Sequence, residues 1–200
     1  RREAVRTLAP VAGGLYLDVG TGTGDVAFEL LRQAPGARVC GVDPSERMLA
    51  MARRKADARG MAGRVSFQVG DAVRLAMADA CVDGVISAFC FRNIEHRMEA
   101  LREMRRVLRA DGRLTLLELT PPERRGVHLL YHAYVRVIPV LGRLAGDAGA
   151  YRYLIRSIDH FLQADQVVGM LEEAGFGEAR HVPLCGGIIS IFSARKASTP

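Results

Sequence analysis

The chain has 200 residues, 49% of them apolar and 25% charged, and its 28 Lys and Arg outnumber 22 Asp and Glu for a formal charge of +6. That composition excludes a disordered chain and allows one domain with a full core. The excess positive charge leaves anionic partners open. The basic residues lie mainly in helix-like stretches, Arg47 to Arg59 and Arg102 to Arg109, mixed with acids and not interleaved with aromatics, so a nucleic-acid surface is disfavoured.

From the amino end, Leu15 to Val19, Arg38 to Val42, Val65 to Val69, Val85 to Ala88 and Leu114 to Leu119 read as five short apolar strands. Asp25 to Gln33, Ser45 to Arg59 and His96 to Leu108 stand between them with apolar residues at helical spacing. This alternation predicts an α/β chain, a parallel sheet covered by helices. Asp111-Gly112 reads as the turn that ends the last of these helices and starts the fifth strand. Residues 126–174 then read as helix almost throughout, broken near Gly142, Gly146 and Gly149, before closing strands at about 179–184 and 188–194. A helical insertion is therefore expected after the fifth strand, at about 121–160, inside a single domain of residues 1–200 whose tail from Ala197 frays.

The first binding loop is Asp18-Val19-Gly20-Thr21-Gly22-Thr23-Gly24-Asp25, at the end of the first strand and the start of the first helix. Its Gly-x-Gly-x-Gly spacing differs from the Gly-x-Gly-x-x-Gly that seats a pyrophosphate on a helix N-terminus. Asp25 adds a negative charge beside the loop, which disfavours a diphosphate and suits a sulfonium and an α-amino group. The second strand ends at Asp43-Pro44, where a carboxylate can accept from ribose hydroxyls, and the third ends at Asp71-Ala72, where an acid and a backbone N–H can read an adenine edge. Ligands of open α/β sheets bind at the carboxyl ends of the strands, so these three ends converge on one nucleoside, and S-adenosylmethionine fits them best. Asp43 and Asp71 could each be no more than a turn or helix-cap residue.

From Phe89 onward the sequence resembles one family. Phe91-Arg92-Asn93-Ile94, the run from Arg106-Val107-Leu108 to Leu117-Glu118-Leu119-Thr120, Pro139 with Gly142, Ala150 to Ile158, and Met170 to Phe176 are similar to elements of the ubiquinone/menaquinone biosynthesis C-methyltransferases. The resemblance covers residues 15–195. It implies a Rossmann-like class I methyltransferase fold: a mostly parallel seven-stranded sheet with an antiparallel last strand and the helical insertion after strand five. It further implies S-adenosylmethionine as cofactor and a polyprenyl quinol as acceptor. Cofactor contacts are expected at Asp18, Gly20, Thr21, Gly22, Thr23, Gly24, Asp43, Pro44, Met48, Asp71, Ala72, Ser87 and Ala88. The chain departs from the family at Arg109-Ala110-Asp111 and Thr120, which is turn chemistry. It also has Ala88 where the family has serine, and it lacks the family's amino-terminal Tyr-Asp segment, so a truncated amino end is expected.

Methyl transfer from a sulfonium is an in-line displacement, for which holding the reactants in place is most of the task. Carbon methylation of a quinol gains from stabilising a phenolate. Arg92, Asn93 and Glu118 are the candidates: Arg92 to stabilise the phenolate or orient a water, Asn93 to orient substrate or the arginine, Glu118 as general base. Arg92 could instead pair structurally with Glu95 or Glu118. Tyr151, Arg152 and Tyr153 could line the headgroup pocket. Val127, Leu129, Leu130, Tyr134, Val137, Ile138, Val140 and Leu141 could hold a prenyl chain, rest on a bilayer or be core. Cys40, Cys81, Cys90 and Cys185 are scattered, with no CxxC pair, and His128, His132 and His160 are too loosely placed for a metal. Reduced thiols, the absence of a run of about 18 apolar residues and the lack of a signal-peptide pattern suggest a cytoplasmic protein. Contact with the inner face of the membrane and a homodimer stay open. Two other readings compete: a methyltransferase of another small molecule, and a catalytically silent S-adenosylmethionine-binding subunit. A nucleic-acid enzyme ranks last, because the Asn/Asp-Pro-Pro-Tyr motif of strand four is absent.

Overall fold

The computed structural model describes residues 1–121 and 162–197. The chain alternates helix and strand from the start: α1 (Arg2–Leu8), β1 (Leu15–Val19), α2 (Asp25–Gln33), β2 (Arg38–Asp43), α3 (Glu46–Ala58), β3 (Val65–Val69) and β4 (Val82–Ala88). A 3-10 turn at Phe91–Asn93 leads to α4 (Arg97–Val107) and β5 (Leu108–Leu119). After residue 161 come α5 (Ala164–Glu173), β6 (Gly177–Leu184), a second 3-10 turn (Cys185–Gly187) and β7 (Ile189–Arg195). The strands form one sheet in the order β3-β2-β1-β4-β5-β7-β6. β1 to β5 pair in parallel, and β7 lies antiparallel between β5 and β6. β7 is thus the antiparallel last strand that was expected, and β6 beyond it runs parallel to β1 to β5.

Burial explains the strand sequences. β1 is buried over four of its five residues and β4 over five of its seven, so both read as apolar runs rather than alternations. On one face Leu17, Val19, Val85, Leu114, Leu116 and Phe192 pack with Leu101, Met104 and Val107 of α4 and Val167 and Leu171 of α5. On the other, Tyr16, Val39, Ile86, Leu117 and Ile191 pack under α1 and α2 through Val5, Leu8, Phe28, Leu30 and Leu31. The crossovers thus leave the carboxyl ends of β1 to β5 on one edge.

Several expected boundaries shift. α4 stops at Val107, and Leu108 already pairs with Val82. The next matched pair is Gly84 with Arg113, so residues 109–112 bulge out opposite Asp83. Asp111 adopts φ 62° in that bulge, so the anticipated turn lies inside a long strand instead of before it. Asp83 anchors the bulge by accepting from Arg109 and, through its other oxygen, from Leu15 N at 2.8 Å. The stretch read as helix to residue 174 contains α5, and Met170 to Phe176 spans only its end and the turn after it. The insertion residues named above, Tyr151, Arg152 and Tyr153 among them, lie outside the described residues.

Leu101 is fully buried between α4 and the sheet. Its replacement by Ala is expected to cost about 2–5 kcal/mol, as for other core truncations. Urea unfolding with an unchanged slope checks this; a loss below about 1 kcal/mol would mean that α4 does not pack as described.

Candidate functional site

Gly20, Gly22 and Gly24 take φ 70°, 54° and 82°, the left-handed turn between β1 and α2. The loop is tied to β2: Gly20 N and Thr21 N donate to Val42 O at 2.8 and 3.1 Å, and Gly22 N donates to Asp43 Oδ2 at 2.8 Å. Asp43 Oδ1 accepts from Ser45 N at 2.9 Å, and Ser45 caps α3 by accepting from Met48 N. Asp43 is therefore a turn residue and a loop clamp at once. Each of its oxygens keeps a second lone pair that can serve a ribose hydroxyl.

Two adjoining cavities open over the ends of β1 to β4. One, of about 410 Å³, is lined by the glycine loop from Gly20 to Thr23 with Asp43, Met48, Ala88 and Phe89. The other, of about 300 Å³, is lined by Gly70, Asp71, Ala72, Ile94 and His96. Gly20, Pro44, Cys90 and Asn93 line both, so the two form one cleft with an acid on each side. Asp71 is exposed and accepts from Val73 N at 3.1 Å. It closes a turn with Arg74 and caps no helix.

Two expected cofactor contacts lie beneath the cleft. Asp18 is buried, accepts from Thr21 Oγ1 at 2.6 Å through Oδ2, and has no hydrogen-bond partner on Oδ1 among the described residues. Burial pushes its carboxyl up to about 7, against the pull of the Thr21 bond. Ser87 is fully buried and donates to Val19 O at 2.8 Å, which ties β4 to β1. The side chain facing the cleft at this point of β4 is Ala88. Asp25 is matched by Lys55 at 2.9 Å and Arg1 at 3.9 Å, so its charge is neutralised within the protein and adds less to the loop's polarity than the sequence suggested. Burial raises its carboxyl but the Lys55 and Arg1 charges outweigh that, leaving it below the usual value.

The cleft fits S-adenosylmethionine on three grounds: an open left-handed loop where a Cβ at Gly22 would meet no atom, acids at two successive strand ends, and the orphaned oxygen of Asp18 under the loop. Cys90, which sequence reasoning passed over, lines both halves, and its Sγ lies 2.2 Å from the position of a Cβ at Gly20. Burial pushes its thiol up to about 12, so it is a neutral wall and no nucleophile.

At the β5 side stands an ion pair. Arg92 Nη1 donates to Glu118 Oε2 at 2.8 Å and to Phe89 O at 2.7 Å, with side chains 7% and 0% exposed for Arg92 and Glu118. Glu118 also accepts from Arg92 N at 3.4 Å and Leu119 N at 3.3 Å, and Arg97 donates to Arg92 O at 2.7 Å. Burial raises the Glu118 carboxyl, and the Arg92 charge opposes this. With both oxygens engaged and no exposure, Glu118 is placed to orient Arg92, not to take a proton from a substrate. Asn93, next in the 3-10 turn, lines the cleft. Among the described residues no group of His, Cys, Asp and Glu could hold a metal ion.

Comparison with known proteins agrees with this geometry. Residues 1–196 match the profile of the ubiE/COQ5 methyltransferase family. The chain is similar to the demethylmenaquinone methyltransferase of Thermus thermophilus, at 44% identity over 96% of this chain and 86% of that one. It is also similar to the ubiquinone/menaquinone biosynthesis C-methyltransferase UbiE of Geotalea uraniireducens, at 37% identity over 98% and 84%. Among solved structures, a SAM-dependent methyltransferase from Aquifex aeolicus superposes with TM-score 0.72 at 20% identity, covering 98% of this chain and 88% of that one, a likeness of fold.

Gly20→Ala would strain a positive φ and drive a methyl into Cys90. Calorimetric titration is expected to show cofactor binding weakened at least about tenfold, or about 1.4 kcal/mol; unchanged affinity would place the cofactor elsewhere. The raised Asp18 carboxyl binds a proton in the folded state that the unfolded chain has lost above its ordinary value of 3.8. Stability from this group is complete below that value and declines as pH rises to about 7. Denaturant titrations of the cofactor-free protein are expected to show that decline, and Asp18→Asn is expected to flatten it.

Proposed function

Because the chain belongs to the ubiE/COQ5 methyltransferase family, we propose that it methylates a ring carbon of a polyprenylated quinol, demethylmenaquinol being the first acceptor to test. The observation that carries this reading is the family match along residues 1–196, seated on a cleft built for S-adenosylmethionine. When bound, that cofactor supplies a methyl group on a sulfonium, open to in-line displacement by a carbon nucleophile.

The protein's part is to hold and to orient. The glycine loop, Asp43, Pro44 and Met48 line one half of the cleft and Asp71 and Ala72 the other, and together they would hold the cofactor. Asn93, at the junction of both halves, orients the acceptor against it. Arg92 carries a delocalised charge that Glu118 keeps at the end of β5, where it favours a phenolate over a phenol. Tyr151, Arg152 and Tyr153 and the apolar run from Val127 to Leu141 are the residues for the headgroup and the prenyl chain, and contact with a bilayer surface would use the same run. Among the described residues no helix is long and apolar enough to cross a membrane.

Labelled S-adenosylmethionine, given with demethylmenaquinol or the demethylated ubiquinol precursor, is expected to transfer its methyl group to at least one of them. Binding of the cofactor with transfer to neither would leave a small-molecule or non-catalytic role. Asn93→Ala is expected to lower kcat/KM about hundredfold, the scale of a misplaced reactant.

A further inference from the structure

A third cavity, of about 380 Å³, lies at the ends of β5, β6 and β7, lined by Thr120, Ala164, His181, Pro183, Gly187 and Ser190 among others. Three of these side chains form a chain of hydrogen bonds. Thr120 Oγ1 donates to Gly187 O at 2.9 Å, Ser190 Oγ lies 2.7 Å from Thr120 Oγ1, and His181 Nε2 lies 2.9 Å from Ser190 Oγ. Thr120 and Ser190 are 2% and 1% exposed, so water does not replace these bonds.

The carbonyl end fixes the direction of the chain. A carbonyl only accepts, so the single hydrogen of Thr120 is committed to Gly187. Thr120 then accepts the hydrogen of Ser190, and Ser190 accepts from His181 Nε2–H. Neutral His181 is thereby held as the Nε2–H tautomer, with the lone pair on Nδ1. Among the described residues no donor reaches Nδ1. The ring stacks on Phe192, with centroids 5.1 Å apart and planes 21° from parallel, which holds its orientation.

This cluster is joined to the Arg92–Glu118 pair through the sheet. Ser190 is directly opposite Glu118 in the β5–β7 ladder, and Thr120 follows two residues after Glu118. At this end of the sheet Glu118 is fully buried against Arg92 and does not reach an acceptor, whereas the His181 imidazole lines the cavity.

We propose that His181 Nδ1 accepts the hydroxyl proton of the quinol acceptor, with Ser190 and Thr120 as positioning residues that set its tautomer; this rests on the quinol reading above. The acceptor's O–H bond breaks, the proton passes to Nδ1, and the electron pair left on oxygen raises the nucleophilicity of the ring carbon. The resulting imidazolium still donates from Nε2 to Ser190, so the relay is not broken by the transfer.

Long-range ¹H–¹⁵N spectra of the full-length protein at about pH 8, where an ordinary imidazole is neutral, are expected to show His181 as the Nε2–H tautomer, and Ser190→Ala to lose that preference. An Nδ1–H tautomer in the native protein overturns the inference without any assay of activity. In turnover, His181→Ala is expected to lower kcat about hundredfold, the lower end for a general base, with cofactor affinity unchanged and partial recovery on adding imidazole. Native turnover on a quinol with His181→Ala equally active overturns the role of His181 alone. Failure of the native protein to methylate any quinol overturns the substrate reading and this inference with it.

Discussion

A carboxylate with no exposure is costly unless a cation meets it, and Glu118 sits at the end of a central strand with Arg92 as its partner. Much of the acceptor side depends on that requirement. Arg92 can reach Glu118 because the chain leaves β4 through a 3-10 turn, and the same turn carries Asn93 into the cleft. Phe91, fully buried beside it, pins the turn to the core under α4. Removing the Arg92 charge would leave the Glu118 carboxylate buried without that cation, at a cost of about 3–5 kcal/mol. The pair therefore fixes the turn that carries Asn93 into the cleft.

The cofactor side rests on a different device. There side chains hold the backbone of the glycine loop. Asp43 clamps Gly22, Thr21 leans on buried Asp18, and Ser87 ties β4 to the end of β1. These polar groups look like ligand contacts in the sequence, because acids and hydroxyls at strand ends are what a nucleoside needs. In the structure Asp18 and Ser87 support the loop from below, while Asp43 and Asp71 line the cleft beside Ala88, Cys90, Pro44 and the glycines.

In the parallel half of the fold β1 was legible because it is buried on both faces and reads as an apolar run bounded by glycine and acid. Edge strand β3, buried at Val65 alone, and helix α2 also match their expected bounds, read from alternation and from helical spacing. α1 was not legible, since Arg2–Leu8 is short and half charged and gains its structure by packing on the sheet. The start of β4 was hidden by Asp83 and Gly84, of which Gly84 makes room for the Tyr16 ring. The bulge at residues 109–112 could not be told from a turn, because both need the same left-handed Asp111. Within the site, the glycine loop and its acids were visible as a spacing, and Arg92 with Asn93 as a resemblance. The chain from His181 to Gly187 was not visible, since its members lie up to 70 residues apart and are joined only by strand pairing.

Whether the buried pair serves chemistry or only packing is decided by a double-mutant cycle of Arg92→Met, Glu118→Leu and both together, reading unfolding free energy and kcat/KM on the quinol. If Arg92 acts on the acceptor, each single variant loses stability and turnover, and the double variant regains most of the stability while turnover stays low. Recovery of both in the double variant would contradict this account and make the pair a structural tie.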